Sequence, residues 1–537
     1  GSGQTKEWSL PLDATRVRFD ECRYAYCNCS QCDQKIERAY NATCSLLSCN
    51  ICMSSLKARF AKGLGWGLID NFSGTGVNFI VGILLARQLS PEIFGIVGVA
   101  LVLVSVANTI ADAGFSNALI RKTEVSPIDY STTFLLNMAI AIGIYLLLFF
   151  SAPYIAAYYK TSLLIPVVRL ISLSVLFAAF AVSVKARLTR QMDFRTQAVA
   201  SMLSSLVSAT VGLYMVYHGW GIWSLVAQQL LRQSLYALSL SLAARYVPRI
   251  AYSSASAHEL FSFGSRILLS SLLTTVYNNL YYMVVGKVYT PRQLGLYTRA
   301  EQFSLMIALN FTLVLQRVSL PALTNSKSSQ ASFDSAFQWL YKFSALLGSL
   351  FLFSLAAMAD NFTYVLVGHQ WMDSAPILRI LSIYAAFPPI IALHQNILQV
   401  FGKSRLFLSL EAVKTLISTI IVAATIFLSF YALLWGVVFI GIISLAINGY
   451  WGSKYLSTYT QSKQLRDTLF YFLISAVVAL LVYFSSFLLT SHVCKLGIQL
   501  SVFSVSSLLL FVFILKDERR ALTQILRPSS KTQINNE

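Results

Sequence analysis

From Met53 onward the chain is written as apolar runs of about twenty residues separated by short polar breaks. A helix of that length, rising about 1.5 Å per residue, just crosses the hydrocarbon core of a bilayer. Fourteen such spans are expected, at roughly 64–86, 93–116, 131–156, 164–184, 197–217, 221–244, 261–285, 294–318, 336–358, 375–400, 407–429, 432–452, 468–490 and 495–515. Of the 537 residues, 56% are hydrophobic and only 12% charged, which suits lipid rather than water as the solvent. The expected fold class is therefore an all-α polytopic membrane protein.

One phrase in this pattern occurs twice. "ILLARQLSPEIFGIVGVA" at residues 83–100 is echoed by "MVVGKVYTPRQLGLYTRA" at 283–300: apolar run, cation (Arg87, Lys287), hydroxyl and proline (Ser90-Pro91, Thr290-Pro291), then glycine (Gly95, Gly295). Proline fixes its own φ and biases the preceding residue away from the helical region, so each phrase reads as a tight turn between two helices. "RLISLSVLFAAF" from Arg169 and "RILSIYAAFPPI" from Arg379 repeat at an offset of 210, and Trp223 and Trp435 at 212. Two homologous six-helix bundles follow, at 53–250 and 251–457, with two additional spans in 458–516 and a tail at 517–537. Each bundle has an even number of spans, so the copies share one orientation and form a parallel repeat.

Lys and Arg are concentrated in alternate breaks, among them Arg121, Lys122, Lys185, Arg187, Arg190, Lys403 and Arg405, while the opposite breaks hold only Arg87, Lys160, Lys287, Arg292 and Lys495. Cytoplasmic loops retain such cations, which places both ends of the membrane region in the cytoplasm. The same asymmetry accounts for most of the net charge of +19, so no nucleic-acid partner is implied.

Residues 1–52 differ in kind, holding seven of the eight cysteines. The pairs Cys29–Cys32 and Cys49–Cys52 are spaced for four thiolates around zinc, but Cys22, Cys27 and Cys44 blur that ligand set and few apolar residues surround it. The leading "GSG" reads as a linker scar, and the segment as a Cys-rich extension that is non-native or dispensable. Asn41-Ala42-Thr43 is a glycosylation pattern that would be idle on the cytoplasmic side. No metal or organic cofactor is expected.

Ionisable groups at membrane depth are costly and point to function. Candidates are Asp70, Asp112, Arg232, Arg266, Arg299, Glu301, Arg317, Lys342, Glu411 and Lys414, with cations in excess. Asp112, Arg317 and Lys342 fall near span ends, where snorkelling suffices. Glu411 and Lys414, three apart, can neutralise each other, whereas Arg299 and Glu301, two apart, face different sides. An offset of 200 sets Arg266 level with Trp66, one turn from Asp70, so these two oppose each other at similar depth; the alternatives are an interhelical ion pair and a shared binding site. Asn78, Tyr277, Asn278 and Asn279 add groups suited to sugar hydroxyls in a wet cavity.

With fourteen spans arranged 6+6+2, and with "LARQLSPEIFGIVGVA" followed by "VANTIADAGFSNALIRK", "FGSR" from Phe263, "YNNL" from Tyr277 and "QRVSLPAL" from Gln316, the chain from Met53 onward resembles the polysaccharide exporters of the multidrug/oligosaccharidyl-lipid/polysaccharide superfamily. The likeness is to the colanic acid exporter and O-antigen flippase branch. That resemblance implies a V-shaped, two-lobed fold with a central cavity lined mainly by spans 1, 2, 7 and 8. It also implies flipping of an undecaprenyl-pyrophosphate-linked oligosaccharide across the bacterial inner membrane, by a monomer working beside a glycan polymerase and chain-length machinery.

On this reading Arg266 and Arg232, with Arg299, attract the pyrophosphate, and Asn78, Tyr277, Asn278 and Asn279 contact sugars. Asp70 and Glu301 are the candidates for coupling to H⁺ or Na⁺, against a fixed salt bridge. Two rivals are an organic-cation exporter of the same superfamily, disfavoured by the excess of cations, and a membrane glycosyltransferase or polymerase, for which one loop offers Asp360, His369 and Asp373. No GxxxxGK[ST] loop is present, which argues against ATP hydrolysis by this chain.

Overall fold

The doubled proline phrase builds the same corner twice. In the computed structural model the described residues are 76–122, 125–246, 250–327 and 329–513, and all regular structure among them is helical. Helix α1 (Gly76–Gln88) stops before Ser90, which is extended at φ −71°, ψ 156°, and α2 (Pro91–Asp112) starts on the proline, whose missing N–H is not needed in a first turn. In the second copy α10 (Leu280–Val288) is followed by α11 (Pro291–Ser326). There Gln293 N donates to Thr290 Oγ1 at 3.2 Å and Thr290 N donates to Gln293 Oε1 at 3.1 Å, a reciprocal cap.

Between these corners run α3 (Phe115–Arg121), α4 (Pro127–Tyr159), α5 (Leu164–Ile171), α6 (Ser174–Arg190), α7 (Phe194–Tyr217), α8 (Ile222–Ala243) and α9 (Ser254–Asn278). The second half continues with α12 (Gln330–Val367), α13 (Ser374–Ala385), α14 (Phe387–Val400), α15 (Ser404–Thr425) and α16 (Phe430–Ser453), and then α17 (Gln461–Ser485) and α18 (His492–Phe513).

Among the described residues eleven helical segments are long and apolar enough to span a membrane, or twelve if the bent pair Ser254–Ser262 and Ile267–Asn278, at 51°, is one span. The other two expected spans are instructive. The first contributes only α1 to the described residues. The sixth is α8, which Gln228, Gln229, Arg232 and Gln233 make too polar to read as a lipid-facing span. The seventh span, expected as one helix over 261–285, is interrupted at Asn279 (φ −100°, ψ 3°), where α9 ends and α10 begins.

Helix α2 is the hub. It packs on α4, α5 and α6 of its own half, and on α11 and α9 of the other. Helix α11 in turn packs on α12, α13 and α14, and α17 and α18 lie against α12. The main core runs through the α2–α11 seam, where Val97, Ala100, Leu294, Ala300 and Phe303 are buried.

Asp70 and the Cys-rich segment 1–52, with its zinc pattern and glycosylation site, lie outside the described residues, as does the tail 517–537.

Candidate functional site

A cavity of about 360 Å³ sits beside the seam, walled by α1, α2 and α8 from the first half and by Asn279, Tyr282 and α11 from the second. Helix α11 presents Thr298, Arg299 and Gln302 to it, and α8 presents Leu225, Gln228, Gln229 and Arg232. In each case the spacing of three to four residues is one helical face. Arg299 is eight residues into α11 and Arg232 ten into α8, so both lie roughly 12–15 Å below the turns at which their helices start.

Equivalent positions of the two copies recur in the lining of this space. Gly82 and Tyr282, Gly98 and Thr298, and Val102 and Gln302 all line it. At these three pairs the first copy has small or apolar residues and the second polar ones.

Arg299 is the anchor of the site. Only 7% of it is exposed, its guanidinium lies 4.0 Å from the Phe94 ring centroid, and Nη1 donates to Gln302 Oε1. Its buried Nε has no hydrogen-bond acceptor among the described residues. Arg232 Nη2 donates to Gln229 Oε1 at 3.1 Å. Neither arginine forms an ion pair among the described residues. Two of the other deep cations have acidic neighbours: Lys414 bonds Glu411, which also accepts from Gln395 at 2.8 Å, and Lys342 lies 3.9 Å from Asp467.

Of the residues singled out from sequence, Asn78, Asn279, Arg232 and Arg299 line the cavity, while Tyr277 and Asn278 do not. The break after Asn278 explains the exchange of one asparagine for the next: a straight helix would have aligned Asn278 with Asn78, and the interruption turns Asn279 inward. Arg266 belongs to α9, but its side chain lies outside the described residues. Glu301 points away from Arg299, into the second half, where its Oε1 accepts from Tyr297 Oη at 3.0 Å beside Tyr282. Gln228, Gln229, Tyr282, Thr298 and Gln302 are the polar lining residues that sequence reasoning passed over, and Gly82 was passed over with them. The glutamine stripe on α8, in register with Arg232, was the available signal.

Contacts close the seam at both ends. On the side of the proline turns, Arg292 bridges Glu92 at 3.7 Å and Asp373 at 2.7 Å, Trp371 Nε1 donates to Ala86 O at 2.7 Å, and Arg87 Nε donates to Leu366 O at 2.7 Å. On the basic side Lys122 Nζ lies 3.2 Å from Asp129 and 2.9 Å from Glu259, and Ser256 Oγ donates to Asp129. Between the two, Thr109 Oγ1 and Thr275 Oγ1 are hydrogen-bonded at 3.0 Å. Of the acids expected on one loop for a glycosyltransferase or polymerase, Asp360 lies instead within α12 and pairs with Arg379 at 2.7 Å, while Asp373, in the connection before α13, pairs with Arg292.

Comparison with known proteins agrees with this architecture. The chain is 26% identical over 322 residues to the succinoglycan biosynthesis transport protein ExoT of Rhizobium meliloti, a match covering 60% of this chain and 65% of that one. It is 23% identical over 466 residues to the teichuronic acid biosynthesis protein TuaB of Bacillus subtilis, covering 86% and 96%, and 21% identical to the lipopolysaccharide biosynthesis protein WzxC of Escherichia coli, covering 61% and 67%. The fold is that of the lipid II flippase MurJ in an inward closed conformation (TM-score 0.68, 14% identity, 84% of this chain and all of that one). It is shared with an inward-facing multidrug resistance MATE family transporter of the MOP superfamily (TM-score 0.53, 14% identity, 73% and 96%). Residues 84–376, more than half of the chain, match the family described as polysaccharide biosynthesis protein, and the chain belongs to that family as a multi-pass membrane protein with a MurJ- and MATE-like fold.

Proposed function

We propose that this protein is a flippase that carries an undecaprenyl-pyrophosphate-linked oligosaccharide from the cytoplasmic to the periplasmic face of the bacterial inner membrane. The observation that carries the reading is the pair Arg232 and Arg299, both without an acidic partner among the described residues, in one cavity between the two halves of the chain. A buried cation without a counter-ion is expensive, and a pyrophosphate supplies the missing charge with oxygens suited to a planar guanidinium. The amides of Gln228, Gln229, Asn78 and Asn279 suit sugar hydroxyls. An organic cation would meet two unneutralised arginines there, which disfavours drug export.

The mechanism is alternating access, with 53–250 and 251–457 as the rocking lobes, the proline turns on the periplasmic side and both termini in the cytoplasm. Breaking the Lys122 contacts opens the cavity to the cytoplasm, the head group binds while its tail stays in the bilayer, and release of the opposite seal delivers it. Glu301, buried among tyrosines on the other side of α11 from Arg299, is placed to couple the cycle to H⁺ or Na⁺. Glycan polymerase and chain-length machinery would take up the product.

The test is flipping in proteoliposomes that contain a lipid-linked oligosaccharide with a fluorescent sugar, read by quenching from outside. Replacing both arginines (Arg232→Ala with Arg299→Ala) lowers the rate at least about tenfold, the scale of one lost charged hydrogen bond. Wild-type flipping in that variant overturns the assignment.

A further inference from the structure

We propose that Gly82 is a positioning residue, whose missing side chain is the seat that fixes the Arg299 guanidinium and so fixes where in the cavity the pyrophosphate is held. The inference rests on the function proposed above.

The argument starts from what Gly82 touches. A Cβ built there would lie 2.8 Å from Arg299 Nη1, 3.7 Å from Cζ and 3.8 Å from Nη2, and these are its three nearest neighbours. Small residues in membrane helices usually admit another helix backbone. Gly264 of α9 and Gly114 of the α2–α3 turn admit each other's backbone in this way, since a Cβ on Gly114 would lie 2.5 Å from Gly264 O and one on Gly264 2.7 Å from Ala113 O. Gly82 instead meets the tip of one charged side chain.

That tip is held on three sides: the α1 backbone at Gly82, the Phe94 ring at 4.0 Å, and the Gln302 amide oxygen, which accepts from Nη1. Of its five N–H donors only one, on Nη1, is bonded among the described residues, and the buried Nε–H has no acceptor there, so the fork keeps donors for a ligand. The seat exists in one copy of the repeat only. At the offset of 200, Gly82 corresponds to Tyr282 and Arg299 to Val99. Glycine weakens a helix relative to alanine, and its use in mid-span at Gly82 is accounted for by the guanidinium it admits.

Alanine at this position displaces a flexible side-chain end rather than backbone, so Gly82→Ala folds while the guanidinium moves. The experiment measures binding of undecaprenyl pyrophosphate to the full-length protein in detergent for wild type, Gly82→Ala, Arg299→Ala and the double variant, with thermal unfolding in parallel. The expected result is an affinity about tenfold lower for Gly82→Ala at an unchanged melting temperature, with the double variant matching Arg299→Ala alone, because Gly82 acts only through that group. Arg299→Lys, whose amine stops short of the seat, is expected to be insensitive to Gly82→Ala. Wild-type affinity in Gly82→Ala beside weakened binding in Arg299→Ala overturns the role of Gly82, as do additive losses. Wild-type affinity in Arg299→Ala overturns the binding site itself.

Discussion

Gly95 and Gly295, the same position in the two copies of the proline phrase, are pressed together across the seam: a Cβ on Gly95 would lie 1.8 Å from Pro291 O, and one on Gly295 1.8 Å from Pro91 O. An ordinary carbon contact is about 3.5 Å, and both obstacles are backbone, so neither turn can yield without moving its helix. The reciprocity makes this a two-fold seal above the cavity. Gly95→Ala is expected to hold the two turns apart and shift the population toward the state open on that side. A cysteine at Glu92, in a Cys494→Ser background, would then react faster with an impermeant maleimide in whole cells. Labelling at the wild-type rate would show that the seal is not the barrier.

The basic-side latch is electrostatic, and its pH dependence follows from Lys122. The hydrogen bond to Glu259 is the largest influence and, with that to Asp129, holds the ammonium above the ordinary lysine value of 10.5, against the opposing effect of burial. A group raised in the folded state contributes fully below its ordinary value and loses that contribution only as pH climbs through the raised one. The latch should therefore be constant between about pH 6 and 9. Glu259→Gln, removing an exposed partner, is expected to change the ratio of closed to open states only about two- to fivefold. Asp129→Asn should do more, because the buried carboxylate accepts from Ser126 N at 2.9 Å as well as from Lys122 and Ser256. Spin-label distances between α3 and α9 across the pH range check both statements.

Trp371 links the α12–α13 connection to the end of α1. It is fully buried, donates to Ala86 O and meets the Phe94 ring edge-on at 5.3 Å, the same ring that carries Arg299. Trp371→Ala should cost about 3–5 kcal/mol and lower the melting temperature in detergent. Trp371→Phe, which keeps most of the volume and loses the hydrogen bond, should cost about 1–3 kcal/mol. Equal stability of the three proteins would contradict the packing described.

Glu301 and Arg299 share α11 but face different surroundings, which separates coupling from binding. Glu301→Gln is expected to keep the affinity for undecaprenyl pyrophosphate and to abolish the dependence of flipping on the ion gradient in proteoliposomes. Gradient-dependent flipping at wild-type rates in this variant would remove Glu301 from the coupling step.

Much of this protein is written locally. Lipid demands helices of a set length with their backbone groups satisfied within each helix, so most of the spans, the two proline turns and the Glu411–Lys414 pair were legible along the chain. The surplus of deep cations was legible too, and with it Arg232 and Arg299 as candidates. Their common cavity was not, because it depends on how α8 and α11 are rotated about the seam. Packing alone decided that Arg379 finds Asp360 while Arg299, among the described residues, finds Phe94, Gln302 and Gly82 but no acid. It also decided that a break at Asn279 turns that residue inward in place of Asn278, and that Gly82 admits a guanidinium where Gly95 admits a backbone. Sequence specifies what each helix must bury; which neighbour meets a charge two hundred residues away is settled only when the helices close on one another.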